Sequence, residues 1–342
     1  MLLMGVYQIA IIAFLWAFSF SACLLYMHIK LAWRKKILAE DVHKIKKTLV
    51  ANLGGIVLFL IPLLALPLLL FADVLGGEAT NVYLALISST LIGLVVGLID
   101  DIKDLGLLKA GLVALAGIPI ILLHVYLPKP YIPIVGRTRM TLLYPLVILA
   151  FFSIFADACN MIDIFNGVLA GQVIFVLVPL LILSLLFGGG VSTILIVIGL
   201  GYTLAFLLWN RYPAKIFHGN VGAYGLGAML SAIIILSAIE VRGVEFVAII
   251  AFLPAIYNGF IYVFNTRFAP RRKVSRSRKA VFFRDGYLEP NRDITAALNL
   301  TRLLTLKGRL TEKQLIIIYY LMFVCSSFLA TLTAVLMFLG VI

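Results

Sequence analysis

Gly93-Leu-Val-Val-Gly97-Leu-Ile-Asp100-Asp101-Ile-Lys103-Asp104 carries an apolar helical run straight into three carboxylates. The chain is 63% hydrophobic and has only 15 acidic residues among 342, so this cluster needs a physical reason. Carboxylates at a membrane surface resist desolvation and repel one another unless cations, a metal or a magnesium-bound phosphate neutralise them. A helix that merely ends in water accounts for one Asp, although acids at a helix C-terminus oppose its dipole. Three together favour a site. If the helix continues, Asp100 and Asp104 share one face at i, i+4, while Asp101 points about 100° away. The neighbouring carboxylates therefore need not do the same job.

Outward from this stretch, the chain reads as an all-α polytopic membrane protein. Charged residues make up 13% of it, against roughly 25% in a soluble chain. A span needs about 20 mostly apolar residues. By that rule ten are expected, at 5–29, 51–71, 82–99, 110–126, 142–158, 168–187, 190–208, 222–239, 246–265 and 314–341. The uncharged run from Met1 to Met27 reads as the first span, not as a cleaved signal. Cys23, Cys159 and Cys325 lie in apolar or membrane-edge stretches and imply no disulfide framework. The whole of 1–342 reads as one membrane domain.

Charge orients it. Connections one, three, five, seven and nine hold 24 of the 28 Lys and Arg, leaving Lys129, Arg137, Arg139 and Arg242 on the other side. This bias places the odd connections in the cytoplasm and both termini outside. The 266–313 loop, between helices nine and ten, is the longest cytoplasmic connection. Its pattern at Ile294, Ala297, Leu298 and Leu300 to Leu304 predicts an amphipathic helix on the membrane surface, and Tyr131-Ile-Pro-Ile predicts a small extended element outside. No soluble domain is expected to present nucleic acid, and the chemistry falls on the cytoplasmic face.

Further polar clusters gather on that face. Glu40-Asp-Val-His-Lys44 precedes Asn52-Leu-Gly54-Gly55, whose paired glycines either expose N–H groups to an anion or serve helix packing, the plainer choice. Lys109 follows the acids, where it could meet a phosphate. Asp157, Asn160, Asp163 and Asn166 recur at every third position, and their oxygens suit magnesium. Asn210-Arg-Tyr-Pro213-Ala-Lys215-Ile-Phe217-His-Gly-Asn220-Val-Gly222-Ala-Tyr-Gly225-Leu-Gly227 lacks the Walker lysine spacing and is no P-loop; its glycines permit close backbone approach or serve helix packing. Pro270-Arg271-Arg272-Lys273-Val-Ser-Arg276 reads either as a lipid-headgroup contact or as a set of forks for a diphosphate.

In this order the clusters resemble the polyprenyl-phosphate N-acetylhexosamine-1-phosphate transferases. The branch they look most like is the UDP-GlcNAc:dolichyl-phosphate GlcNAc-1-phosphotransferases, in an archaeal form. Gly97-Leu-Ile-Asp100-Asp101 is similar to the family's Asp-Asp motif. Phe165-Asn166-Gly-Val-Leu-Ala-Gly171-Gln172 is similar to its Ile-Asn-Gly-Leu-Glu-Ala-Gly-Gln, and Leu253-Pro-Ala-Ile-Tyr-Asn258 to its Leu-Pro-Gln-Val-Phe-Asn. Pro270-Arg-Arg-Lys273 and Arg284-Asp-Gly-Tyr-Leu-Glu289 favour this branch over the bacterial peptidoglycan one, whose loop is His-rich. The resemblance implies magnesium (with manganese as a substitute), UDP-GlcNAc, a polyprenyl or dolichyl phosphate in the bilayer, and a homodimer. Residue by residue it implies Asp100, Asp101 and Lys109 as catalytic. It puts Glu40, Val42, Asn52, Asn166 and Phe217 around the nucleotide, and Arg271, Arg272, Lys273 and Arg276 on the sugar diphosphate.

Two departures stand out. The family's magnesium ligands are an Asn in the fifth connection and an Asp before span eight, where this chain offers Asp163 and Asn220. The pair still supplies one carboxylate and one amide. Arg272 replaces a His, so that position has no evident acid–base role. The implied reaction passes GlcNAc-1-phosphate to the lipid phosphate, whose second pKa near 6 makes a general base unnecessary. Asp100 and Asp101 then read as orienting groups for Lys109 and the acceptor. Competing readings are the same chemistry with another UDP-sugar, a catalytically silent relative, and a lipid or nucleotide-sugar transporter. A transporter would need polar residues at the midplane, and here they gather at one surface. The membrane is expected to be an archaeal cell membrane, with the endoplasmic reticulum second.

Overall fold

Apolar backbone in lipid must satisfy its own N–H and C=O groups, which selects helices. The computed structural model describes residues 2–76, 78–106, 108–267 and 279–341, and its apolar runs are helical. In chain order the helices are α1 (Leu2–Lys35), α2 (Gly54–Leu70), α3 (Ala79–Ile102), α4 (Leu108–Leu122), α5 (Tyr144–Ile162) and α6 (Val168–Leu186). They continue with α7 (Val191–Asn210), α8 (Gly219–Ser237), α9 (Val244–Ala251), α10 (Leu253–Arg267), α11 (Leu300–Thr305) and α12 (Glu312–Phe338). Among the described residues seven helices are long and apolar enough to cross a membrane, or eight if the bent pair α9–α10 counts as one span. This is an integral membrane protein.

The ten expected segments do not all reach spanning length. α2 opens as a 3-10 turn and is broken into short pieces, with Pro62 and Pro67 near the starts of two of them; Pro119 similarly marks a new start inside α4. Proline lacks the N–H and clashes with the preceding turn, so these apolar runs are segmented. α9 and α10 meet at 68°.

α8 is the centre of the bundle, buried along nearly its whole length. The opening stretch packs directly on it. A Cβ on Gly93 would stand 2.4 Å from the Ala228 Cβ, and one on Gly97 would stand 2.3 Å from the Asn220 carbonyl oxygen. The glycines thus let α3 approach the α8 backbone. Gly55 does the same from α2, with a Cβ position 1.9 Å from Gly222 Cα. Its N–H donates to His218 O and that of Gly54 to Phe217 O, so packing is the use of this glycine pair.

Among the described residues there are also three two-stranded antiparallel ladders: β1 (Leu38–Glu40) with β2 (Leu49–Ala51), β3 (Tyr131–Ile132) with β4 (Gly136–Arg137), and β5 (Val281–Arg284) with β6 (Tyr287–Pro290). The small extended element at Tyr131 is therefore present. The predicted amphipathic helix is shorter than expected. Only Leu300–Thr305 is helical, and the preceding segment wraps Arg302, which is buried and donates to the carbonyls of Asp293 and Ala296.

Candidate active site

A cleft of about 420 Å³ opens where β1–β2, the ends of α3, α5 and α7, and the start of α8 converge. Eight of the sequence-predicted site residues line it: Glu40, Val42, Asn52, Asp101, Asp163, Asn166, Phe217 and Asn220. They come from separate stretches of chain that the α3–α8 contact and the short ladder β1–β2 bring together. Arg271, Arg272, Lys273 and Arg276 lie outside the described residues.

The two adjacent carboxylates divide their work. Asp100 is buried and accepts the Leu105 N–H at 2.9 Å and the Lys109 ammonium at 3.1 Å. Asp101 faces the other way and accepts the N–H groups of Asn220, at 2.9 Å, and Val221, at 2.8 Å. It caps α8, satisfying two of the donors that every helix start leaves open. Asp101 therefore orients the start of α8 and not Lys109, a division the 100° separation allows. Gly219, at φ +69, brings the chain into this cap, in a conformation that favours glycine. Asp104 turns into the exposed loop and accepts the Gly106 N–H.

The stripe on α5 also divides. Asp157 is tied to the Tyr224 hydroxyl, which donates to it at 2.8 Å. Asn160 donates from Nδ2 to that same hydroxyl at 3.3 Å, leaving its oxygen without a protein donor among the described residues. Asn160, Asp163 and Asn220 all line the cleft. Two amides and one carboxylate make an all-oxygen set, the kind magnesium takes while retaining water and phosphate oxygens. His218, fully buried and stacked on Phe206 at 3.9 Å, has Nδ1 3.2 Å from an Asp163 oxygen. That approach lies off the line of a hydrogen bond, and among the described residues both ring nitrogens are otherwise unpartnered. The residues fit a divalent cation.

A second acidic group reaches into the cleft wall, which Asp41 and His43 help to line. Asp41, His43 and Glu312 bring ligand atoms within 4.8 Å of one another. The Lys44 ammonium already serves as their cation: it bonds Asp41 at 2.9 Å and also bonds Glu312. Burial alone would lower the Lys44 pKa, but the hydrogen bonds to Glu312 and Asp41 hold it above the ordinary lysine value. Burial pushes His43 down to about 4, with Lys44 and Lys279 adding to the effect and Asp41 opposing it. Asn166 donates from Nδ2 to Asp41 at 3.0 Å. Below it, Asn210 accepts the Gly167 N–H and donates to Ile216 O, pinning the 163–167 turn to the loop before α8.

Sequence reasoning included Asn210 in a polar cluster without giving it a role, and did not single out Glu312. Glu312 sits in the first turn of α12, beside a Thr311–Gln314 capping box, so locally it reads as ordinary helix-start chemistry. Asn160 carried a signal, the period-three polar stripe whose oxygens suit magnesium, but it was not among the two ligands expected.

A family model described as glycosyl transferase family 4 matches residues 83–238. A protein of Saccharolobus solfataricus, assigned by name as a UDP-N-acetylglucosamine–dolichyl-phosphate N-acetylglucosaminephosphotransferase, is 33% identical over 209 residues. A Sulfolobus acidocaldarius protein with the same assignment is 32% identical over 213 residues. Each match covers 60% of this chain and 64% of the relative's length. A phospho-N-acetylmuramoyl-pentapeptide-transferase of Streptococcus equi subsp. zooepidemicus is 30% identical over 247 residues, covering 66% of this chain and 72% of that protein.

Proposed function

This chain belongs to glycosyl transferase family 4, and from that premise we propose that it transfers GlcNAc-1-phosphate from UDP-GlcNAc to a polyprenyl, dolichyl-type phosphate, releasing UMP. The observation that carries this reading is the convergence on one cleft of eight residues expected from four separate motifs, next to the Asp100–Lys109 pair. The names of the two archaeal relatives favour dolichyl phosphate and UDP-GlcNAc over the peptidoglycan substrates.

In this reaction an ionised oxygen of the lipid phosphate forms a bond to the β-phosphorus of the nucleotide sugar. The bond from that phosphorus to the bridging oxygen breaks, and UMP leaves with the electron pair. The acceptor oxygen is largely deprotonated at neutral pH, so no residue need act as base. Lys109, held by Asp100, neutralises phosphate charge, and the arginines of 271–276 are assigned to the diphosphate. Val42, Asn52, Asn166 and Phe217 wall the nucleotide. Asp101 fixes the start of α8 and with it Asn220. Asp163 and Asn220, with Asn160 beside them, are the residues that would hold magnesium. Bound there, the ion supplies charge neutralisation at the diphosphate.

The proposal extends to topology. We count α2, α4 and the bent pair each as a crossing, with the cleft on the cytoplasmic face and both termini outside, a reading supported by the basic bias of the odd connections. The membrane is an archaeal cell membrane.

The test is UMP release by purified protein given UDP-GlcNAc, dolichyl phosphate and magnesium. We expect activity that EDTA abolishes and magnesium restores, and a loss of about 100-fold or more in Lys109→Met. Wild-type protein that binds UDP-GlcNAc but releases no UMP with any polyprenyl phosphate would sink the reading.

A further inference from the structure

Lys44 forms part of a buried chain of contacts that the transfer chemistry does not use. Glu312, at the start of α12, bonds the Lys44 ammonium; Lys44 bonds Asp41 Oδ2 at 2.9 Å; and the same oxygen accepts Asn166 Nδ2 at 3.0 Å. The side chains of Asp41 and Glu312 are 4% and 3% exposed. A phosphate role for this lysine is ill-suited, because two carboxylates already claim its charge.

The chain fixes which way the Asn166 amide faces. Asn can present either an oxygen or an NH2 group, and only its surroundings decide. An ionised Asp41 accepts and cannot donate, so the NH2 end must face it. Among the described residues nothing donates to Asn166 Oδ1, and Asn166 lines the cleft. The cleft therefore meets an acceptor there. Lys44 holds Asp41 in place through their ion pair, and Glu312 holds Lys44 there, so α12 is tied to the wall of the cleft.

We propose that Asp41, Lys44 and Glu312 are positioning residues that lock the Asn166 amide with its oxygen toward the cleft, so that a pyrimidine read at this point must offer an N–H. Uracil has a protonated N3 and satisfies this requirement. Cytosine presents an unprotonated N3 and leaves two acceptors facing each other, a mismatch worth orders of magnitude in binding. This inference rests on the nucleotide site assigned above.

The experiment measures binding of UDP and CDP, by calorimetry with magnesium present, to the full-length protein and to Asp41→Asn, Lys44→Met, Lys44→Arg and Glu312→Gln. Thermal melting confirms that each variant is folded. Wild type should prefer UDP by about 100-fold. Asp41→Asn gives position 41 a donor as well as an acceptor, frees the Asn166 amide to turn, and should bring the preference below about tenfold. Lys44→Met and Glu312→Gln should each lower it at least about threefold, and Lys44→Arg should keep it, since a guanidinium can bridge both carboxylates. In UMP-release assays the KM for UDP-GlcNAc should rise more than kcat falls. If folded variants lose UDP and CDP affinity in parallel, or the wild type does not discriminate between them, the positioning role is overturned while the transferase reading stands. If the wild type binds neither nucleotide, the transferase reading itself fails. Should Asp41→Asn not fold, Glu312→Gln and the Lys44 pair decide the matter by the same ratio.

Discussion

At the scale of single residues, the site works by giving similar groups dissimilar partners. Asp100 holds an ammonium and Asp101 holds a helix start, although they are neighbours in the chain. His43 offers a test that activity assays do not. Its folded pKa is lowered to about 4 from an ordinary 6.5. Above pH 6.5 it is neutral whether the chain is folded or unfolded. Between 6.5 and 4 the unfolded chain takes up a proton that the folded chain refuses, so stability falls as pH falls through that window. The melting temperature in detergent should therefore drop between pH 7 and pH 5, and the drop should be smaller in His43→Asn. Equal slopes for the two proteins would show that His43 is not held neutral. The residue types at the site were readable from the chain, but their pairings were not, because hydrogen-bond direction depends on where backbone from another helix arrives.

At the scale of elements, glycine spacing sets how closely α3 and α2 approach α8. Gly97→Ala would drive a methyl into the Asn220 backbone, and overpacking of this kind costs about 1–3 kcal/mol. Because Asn220 lines the cleft, activity should fall along with stability. Gly111→Ala is the matched control: a Cβ there meets nothing within 4 Å, and alanine is the better helix former. Melting and UMP release measured on both variants should separate them clearly. Similar behaviour would mean that the α3–α8 approach is looser than described. The opening stretch thus does two jobs, apolar contact along its glycines and polar contact at its end. Only the polar end stood out in the sequence, since Gly-rich spacing in a membrane helix fits many packings.

At the scale of the whole molecule, the basic bias and the cleft make one joint prediction about orientation. With Cys23 and Cys325, both exposed, replaced by Ala, a cysteine at Ile134 should react with an impermeant maleimide in intact cells. A cysteine at Lys46 should react only after permeabilisation. The reverse pattern would invert the proposed topology. Composition and the apolar periodicity by themselves determined that this is a helical membrane protein with its polar chemistry gathered at one surface, because lipid leaves the backbone no alternative and charge cannot hide in it. Tertiary structure alone decided which helices fall short of spanning length, that Asp101 caps α8, and that Glu312 reaches back to Lys44 across most of the chain. Those outcomes depend on close approach between segments far apart in sequence, and a linear pattern does not encode that distance.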